Sequence, residues 1–171
     1  MRVIIMLFEC CKKSSSDYMY VRPFIQRFFE YNTSKFEQIY TGSKCELYSK
    51  GTKKKIDACL GKYLARNDEV SIVFFADVDT NSTEDKKRNQ NLIKFSNKYG
   101  TRSSIVWFNL DIEDVFLGKR IKDDKPKEAK NFLNSKKIEK IDVCKMKNDN
   151  AIKTIHSSNI YNVIASLLPK K

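Results

Sequence analysis

Short, nearly unbroken apolar runs alternate along the chain with stretches in which apolar residues recur every three or four positions. Residues 3–8 (Val-Ile-Ile-Met-Leu-Phe), 70–76 (Val-Ser-Ile-Val-Phe-Phe-Ala) and 104–108 (Ser-Ile-Val-Trp-Phe) are of the first kind. Their length and β-branched content predict strands covered on both faces. A weaker strand is predicted at 36–40, continuing at 47–48. The helical spacing of Tyr18, Val21, Ile25, Phe28 and Phe29 follows the polar stretch Ser14-Ser15-Ser16-Asp17, which suits a helix start. Pro23 fits the first turn of that helix better than its interior. Residues 53–67 read as a helix with Ile56, Cys59, Leu60, Tyr63 and Leu64 on one face. Residues 84–99 read as another, with Leu92, Ile93 and Phe95 inward and Gly100 as its stop. Beyond Gly118 the chain is charge-dense as far as Lys140. Lys125-Pro126-Lys127 starts a helix running through Phe132 and Leu133. A last amphipathic helix is predicted over 150–168, carrying Ile152, Ile155, Ile160, Val163, Ile164 and Leu167.

Strands alternating with helices predict an α/β fold with a mainly parallel central sheet flanked by helices. Residues 1–118 form the predicted core, and 119–171 a helical extension packed on the same domain. With 171 residues the chain has the length of one domain with a sizeable core.

Composition adds a direction. The 33 Lys and Arg outnumber the 21 Asp and Glu, giving a net charge of +12. A hydrophobic share of 41% with 12% aromatics excludes a disordered polar tail, so the charge sits on a folded surface. Such a surface favours a polyanionic partner, nucleic acid ahead of an acidic membrane. A Lys- and Asn-rich, AT-biased coding composition accounts for the same charge. The five cysteines include no Cys-x-x-Cys pair and the chain has one histidine, so no zinc set or disulfide framework is recognisable. The N-terminal apolar run is too short for a signal peptide or a membrane span. The expectation is a soluble, cytoplasmic protein with reduced thiols and no membrane association.

Acids collect where the strands end. Glu9 follows the first apolar run, Asp77 and Asp79 follow the third strand, and Asp111, Glu113 and Asp114 follow the fourth. In open α/β sheets ligands sit beyond the carboxyl ends of strands. Alternation along an extended Asp-x-Asp points both side chains the same way. Close carboxylates repel unless a cation or proton intervenes, and hard oxygen donors suit Mg²⁺ or Mn²⁺. Asp and Asn are also ordinary turn residues after strands.

Phe8-Glu9, then Phe75-Ala76-Asp77-Val78-Asp79, then Asp111-Ile112-Glu113-Asp114, in strand–helix alternation over about residues 1–118, resembles a TOPRIM domain. Within that superfamily it is most similar to the OLD-family and RloB-like nucleases. Asp111-Ile112-Glu113 is close to their Asp-Leu-Glu, and Asn109 with Glu113 resembles the Asn-Pro-x-x-Glu form. The resemblance implies metal-dependent phosphodiester cleavage in DNA or RNA, within bacterial or phage-related defence, beside a separately encoded ATPase. The chain carries no P-loop of its own. By the same resemblance Asp77 and Asp79 hold Mg²⁺ (or Mn²⁺), Glu113 and Asp111 complete the metal shell, and Glu9 is a metal ligand or general base. The family follows its first Glu with Gly, whereas Cys10 stands here. A non-catalytic nucleic-acid-binding or partner-binding module is therefore the alternative. A receiver-like or phosphotransferase domain shares acids at strand ends, but Glu9 stands alone where a receiver has an acidic pair.

Lys12 and Lys13 beside Glu9 suit a phosphate, as do the clusters Lys53-Lys54-Lys55, Lys86-Lys87-Arg88 and Lys136-Lys137; each reads equally as a solvated face. The aromatics Tyr18, Tyr20, Phe24, Phe28, Phe29 and Tyr31 suit base stacking or, at helical spacing, the core. His156 is assigned to the last helix, far in sequence from the acidic motifs. Cys10 and Cys11 lack a neighbouring His and are read as incidental thiols.

Overall fold

The computed structural model describes residues 1–80, 82–135 and 137–171. Four strands, β1 (Arg2–Phe8), β2 (Ser34–Tyr40), β3 (Glu69–Asp77) and β4 (Ser103–Phe108), form one all-parallel sheet in the order β2-β1-β3-β4. The α/β class with a parallel sheet flanked by helices is therefore what the chain adopts. β1 lies at its centre, paired from Arg2 to Phe8 with both β2 and β3.

Period-two alternation divides the central strands between two cores. Ile4, Met6, Phe8, Val73, Phe75, Val106 and Phe108 face one side, and Val3, Ile5, Leu7, Ile72, Phe74, Ala76 and Trp107 the other. The first side is covered by α1 (Ser16–Phe28), α5 (Ile112–Leu117), α6 (Lys125–Asn134) and α7 (Ile160–Ala165). The second is covered by α2 (Lys44–Leu47), α3 (Lys50–Leu64) and α4 (Thr83–Ser96). The connection leaving β1 thus crosses one face, while those entering and leaving β3 cross the other. The two carboxyl ends diverge between β1 and β3, which makes that point the topological switch of the sheet, where a crevice opens.

Four local expectations are corrected. Pro23 lies in the interior of α1, not its first turn. The helix tolerates the missing N–H because Tyr20, Val21, Phe24 and Ile25 are buried against the sheet around it. Leu47 belongs to the short helix α2, whose start Ser43 caps by accepting the Glu46 N–H. The helix predicted over 150–168 shrinks to α7. Side chains compete for the backbone through much of the lost part: Asn148 Oδ1 accepts the Asn150 N–H and the Ser157 hydroxyl donates to the Thr154 carbonyl. Ile155 is accordingly 65% exposed, and His156 stands at φ 56°, outside any helix. The chain around Ser158 instead covers the free edge of β4. Ser158 bridges Phe108, and the Asn159 amide accepts the Trp107 N–H at 2.8 Å and donates to the Ile105 carbonyl at 3.0 Å. No helix among the described residues is long and apolar enough to cross a membrane.

Candidate functional site

Glu9 leaves β1 and Asp77 ends β3, side by side at the switch point. Glu9 Oε1 accepts the Asp77 backbone N–H at 2.9 Å. Asp77 Oδ1 in turn accepts the Ile112 N–H at 3.0 Å, tying the end of β3 to the start of α5. Glu113 projects from α5 with 1% of its side chain exposed, and its Oε2 accepts from Lys125 Nζ of α6 at 2.9 Å. Asp17, in the first turn of α1, accepts the Cys10 N–H and the Ser16 hydroxyl. Together Glu9, Asp17, Asp77, Glu113 and Lys125 line one pocket of about 200 Å³, with Gly42 and Ser43 also on its wall.

The electrostatics follow from four acids facing one ammonium. Burial pushes Glu9 up from 4.5 to about 8; Lys44 opposes the rise while Asp79 and Asp17 add to it. Asp77 is driven well above the ordinary carboxylate range by burial and then by Glu9, Asp17 and Glu113. Asp17 and Glu113 are raised by burial too, with Lys125 pulling against it. Burial lowers Lys125, but Glu113, Asp77 and Asp111 outweigh it and keep its proton on. Buried like charges at this density hold protons or take a cation.

The sequence reading expected Asp77 and Asp79 to point together. They do not. β3 ends at Asp77, and Asp79 stands at φ 62° with its N–H donated to the Leu110 carbonyl. The turn breaks the alternation and sends Asp79 to Lys44, at the start of α2. Lys44 is only 6% exposed and also donates to Asn89 Oδ1 at 3.1 Å. Glu9 lies between the two centres and feels both.

Asp111 is used differently. Its Oδ1 caps α5 by accepting the Asp114 N–H at 2.8 Å, and its Oδ2 pairs with Arg120 Nε at 3.3 Å. Asp114 is buried and meets His156 Nδ1 at 2.6 Å, so the histidine, though remote in sequence from the acids, is bonded to one of them. Asn109 is buried in a structural role, its amide donating to the Ala151 and Ile152 carbonyls.

The acidic groups around Glu9 (Asp17, Asp77 and Glu113) offer carboxylate oxygens, the donor type that a hard divalent cation such as Mg²⁺ or Mn²⁺ takes. The buried Tyr20 hydroxyl, without a hydrogen-bond partner among the described residues, is held protonated by burial and then by the Glu113 charge. With the side chains as they stand, no three Asp, Glu, His or Cys groups among the described residues converge closely enough to hold an ion. Lys125 and Lys44 are the countercharges.

The basic clusters disperse. Lys12 and Lys55 come together in one groove of about 410 Å³ with Gln38 and Tyr40. Lys53 pairs with Asp57, and Arg88 with Glu84 and Asp85. Lys86 lines a separate pocket, while Lys13, Lys54 and Lys87 are exposed. Lys136 lies outside the described residues. Of the aromatics, Tyr20, Phe24 and Phe29 are core. Burial and then Asp17 push the Cys10 thiol up to about 12, which leaves it protonated and unreactive.

Three site residues were missed in the sequence: Asp17, Lys44 and Lys125. Each sits in the first turn of a helix. Lys125 there opposes the dipole of α6, an unfavourable placement unless acids lie in front of it. Set against family models, curated proteins and solved structures, the chain matches none.

Proposed function

We propose that this protein is a metal-dependent nuclease of the TOPRIM kind, hydrolysing phosphodiester bonds in DNA or RNA at the corner between β1 and β3. The observation that carries the reading is the set of four carboxylates, Glu9, Asp17, Asp77 and Glu113, sharing one pocket at the topological switch point. The sequence resemblance nominated three of those four. Glu9, Asp77 and Glu113 would hold Mg²⁺ or Mn²⁺, with Asp79 at the margin and Asp111 in the supporting role of capping α5. A bound ion of this type polarises a phosphodiester and makes water acidic. Glu9, with one oxygen engaged by the Asp77 N–H and its pKa pushed up to about 8, suits a base that takes a proton from water once it is ionised. Lys125 and Lys44 supply positive charge to a phosphate once released from their carboxylates. Lys12 and Lys55, which line one groove, suit contact with the flanking phosphate backbone.

The test is cleavage of labelled DNA and RNA with Mg²⁺ or Mn²⁺ by the wild type and by Glu9→Gln, Asp77→Asn and Asp79→Ala. Loss of cleavage in the first two with retained folding supports the reading. Wild-type and Asp77→Asn proteins of equal activity would refute it.

One observation favours a second reading, a binding module without turnover. Lys125 already pairs with Glu113, and Lys44 with Asp79, without a metal. Salt-dependent, metal-independent binding with no cleavage under any divalent ion would select it. The defence setting and an ATPase partner rest on the resemblance alone, and co-purification from the native host tests them.

A further inference from the structure

A pocket of about 540 Å³ opens beside the acidic corner, between the exit of β3, α4 and the segment carrying Ile152. That volume falls in the range of small-molecule sites, roughly 300–1,000 Å³. Its walls are of three kinds. Val78, Ile93 and Ile152 are aliphatic, Gln90 supplies an amide, and Lys86 and Lys153 supply ammonium groups. Among the described residues neither lysine is in an ion pair and the Gln90 side chain makes no hydrogen bond; all three are exposed to solvent at the pocket. The pocket is coupled to the acids. Asn89 on its wall donates to the Val78 carbonyl at 3.2 Å and accepts from Lys44 at 3.1 Å, and Lys44 pairs with Asp79.

Aliphatic faces, one amide with both donor and acceptor, and nearby cations match the three parts of a nucleotide: the flat base, its hydrogen-bonding edge and its phosphate. We infer that this pocket seats one unpaired nucleotide of a single-stranded nucleic acid. The base packs against Val78, Ile93 and Ile152, Gln90 meets its edge, and Lys86 and Lys153 take its phosphate. A base still stacked and paired in a duplex cannot present its faces to such walls. The inference rests on the nuclease reading and extends it from phosphodiesters in general to single-stranded ones.

The experiment is fluorescence-anisotropy binding by the full chain in EDTA, so that no cleavage enters. The probes are a labelled single-stranded oligothymidylate, the same strand in duplex form, and an abasic oligomer of equal length. Single strand is expected to bind at least about tenfold more tightly than either comparison probe. Ile93→Glu is expected to weaken single-strand binding by a similar factor, and Lys86→Glu with Lys153→Glu to weaken it further. The two lysines are exposed, so that variant keeps the proposal testable if Ile93→Glu fails to fold. Equal affinity for duplex or for the abasic oligomer, or a folded Lys86→Glu/Lys153→Glu variant binding like wild type, would overturn it. A protein that binds through the pocket but never cleaves defeats only the nuclease reading. One that cleaves with Mg²⁺ while the pocket variants bind unchanged defeats only the pocket.

Discussion

Two groups of acids sit at neighbouring ends of the sheet and are treated in opposite ways. After β4, Asp111 caps α5 and pairs with Arg120, and Asp114 meets His156. Each carboxylate there has structural partners. Between β1 and β3, Glu9 and Asp77 each accept one backbone N–H, pair with no lysine among the described residues, and face other acids. The first group stabilises the fold through hydrogen bonds. The second is held at a cost by the rest of the structure, the usual mark of a functional site. Residue type and position at a strand end do not separate the two groups; the donors around them do.

The largest effect expected from breaking the comparison is at Glu9. Glu9→Gln should reduce cleavage by about 10²–10⁴-fold while raising the melting temperature at neutral pH. The same substitution logic applied to Asp111 should lower stability and leave metal affinity alone. A variant that loses activity and stability together at Glu9 would erase the distinction.

Next in size is Lys125→Met. It leaves Glu113 buried without its cation, and chemical denaturation should show a loss approaching about 3 kcal/mol, lessened by the partial exposure of the lysine. The double variant Lys125→Met/Glu113→Gln should recover much of it.

Burial raises Glu9 from 4.5 to about 8, so across that interval the folded protein keeps a proton that the unfolded chain has released. Stability from this group is full below 4.5 and declines as pH rises through about 8. Asp77 and Asp17, raised in the same direction, add to the decline. Thermal unfolding of the wild type should therefore show a higher melting temperature at mildly acidic than at mildly alkaline pH, and Glu9→Gln should flatten the slope.

Asp111→Ala should cost about 1 kcal/mol through the lost cap of α5, read by urea denaturation. The smallest effect is expected from Lys12→Glu with Lys55→Glu, which should shallow the salt dependence of nucleic-acid binding by about one phosphate contact per lysine.

How much of this was legible in the sequence differs between the two groups as well. The runs at β1, β3 and β4 announce buried parallel strands, and an acid after each is enough to bring Glu9, Asp77 and Glu113 to one edge of the sheet. The Asp79 turn was not legible, because a left-handed residue two positions past the strand end cancels the alternation that would pair it with Asp77. Nor was the C-terminal segment: the spacing of Ile152 and Ile155 mimics a helix, but neighbouring Asn and Ser side chains bind the backbone locally and the segment serves as cover for β4. Asp17, Lys44 and Lys125 belong to helix starts, and in a parallel α/β fold the helices that follow strands begin at the same edge as the strand ends. Charges there deserve the same scrutiny as the acids after strands, above all lysines placed against the helix dipole.

The most direct test of the central claim is calorimetric titration of the chain with Mn²⁺ and Mg²⁺ in buffers of differing ionisation enthalpy. A cation site that releases protons on binding is expected, lost in Asp77→Asn and retained in Asp111→Ala. Absence of binding, or equal binding by Asp77→Asn, would contradict it.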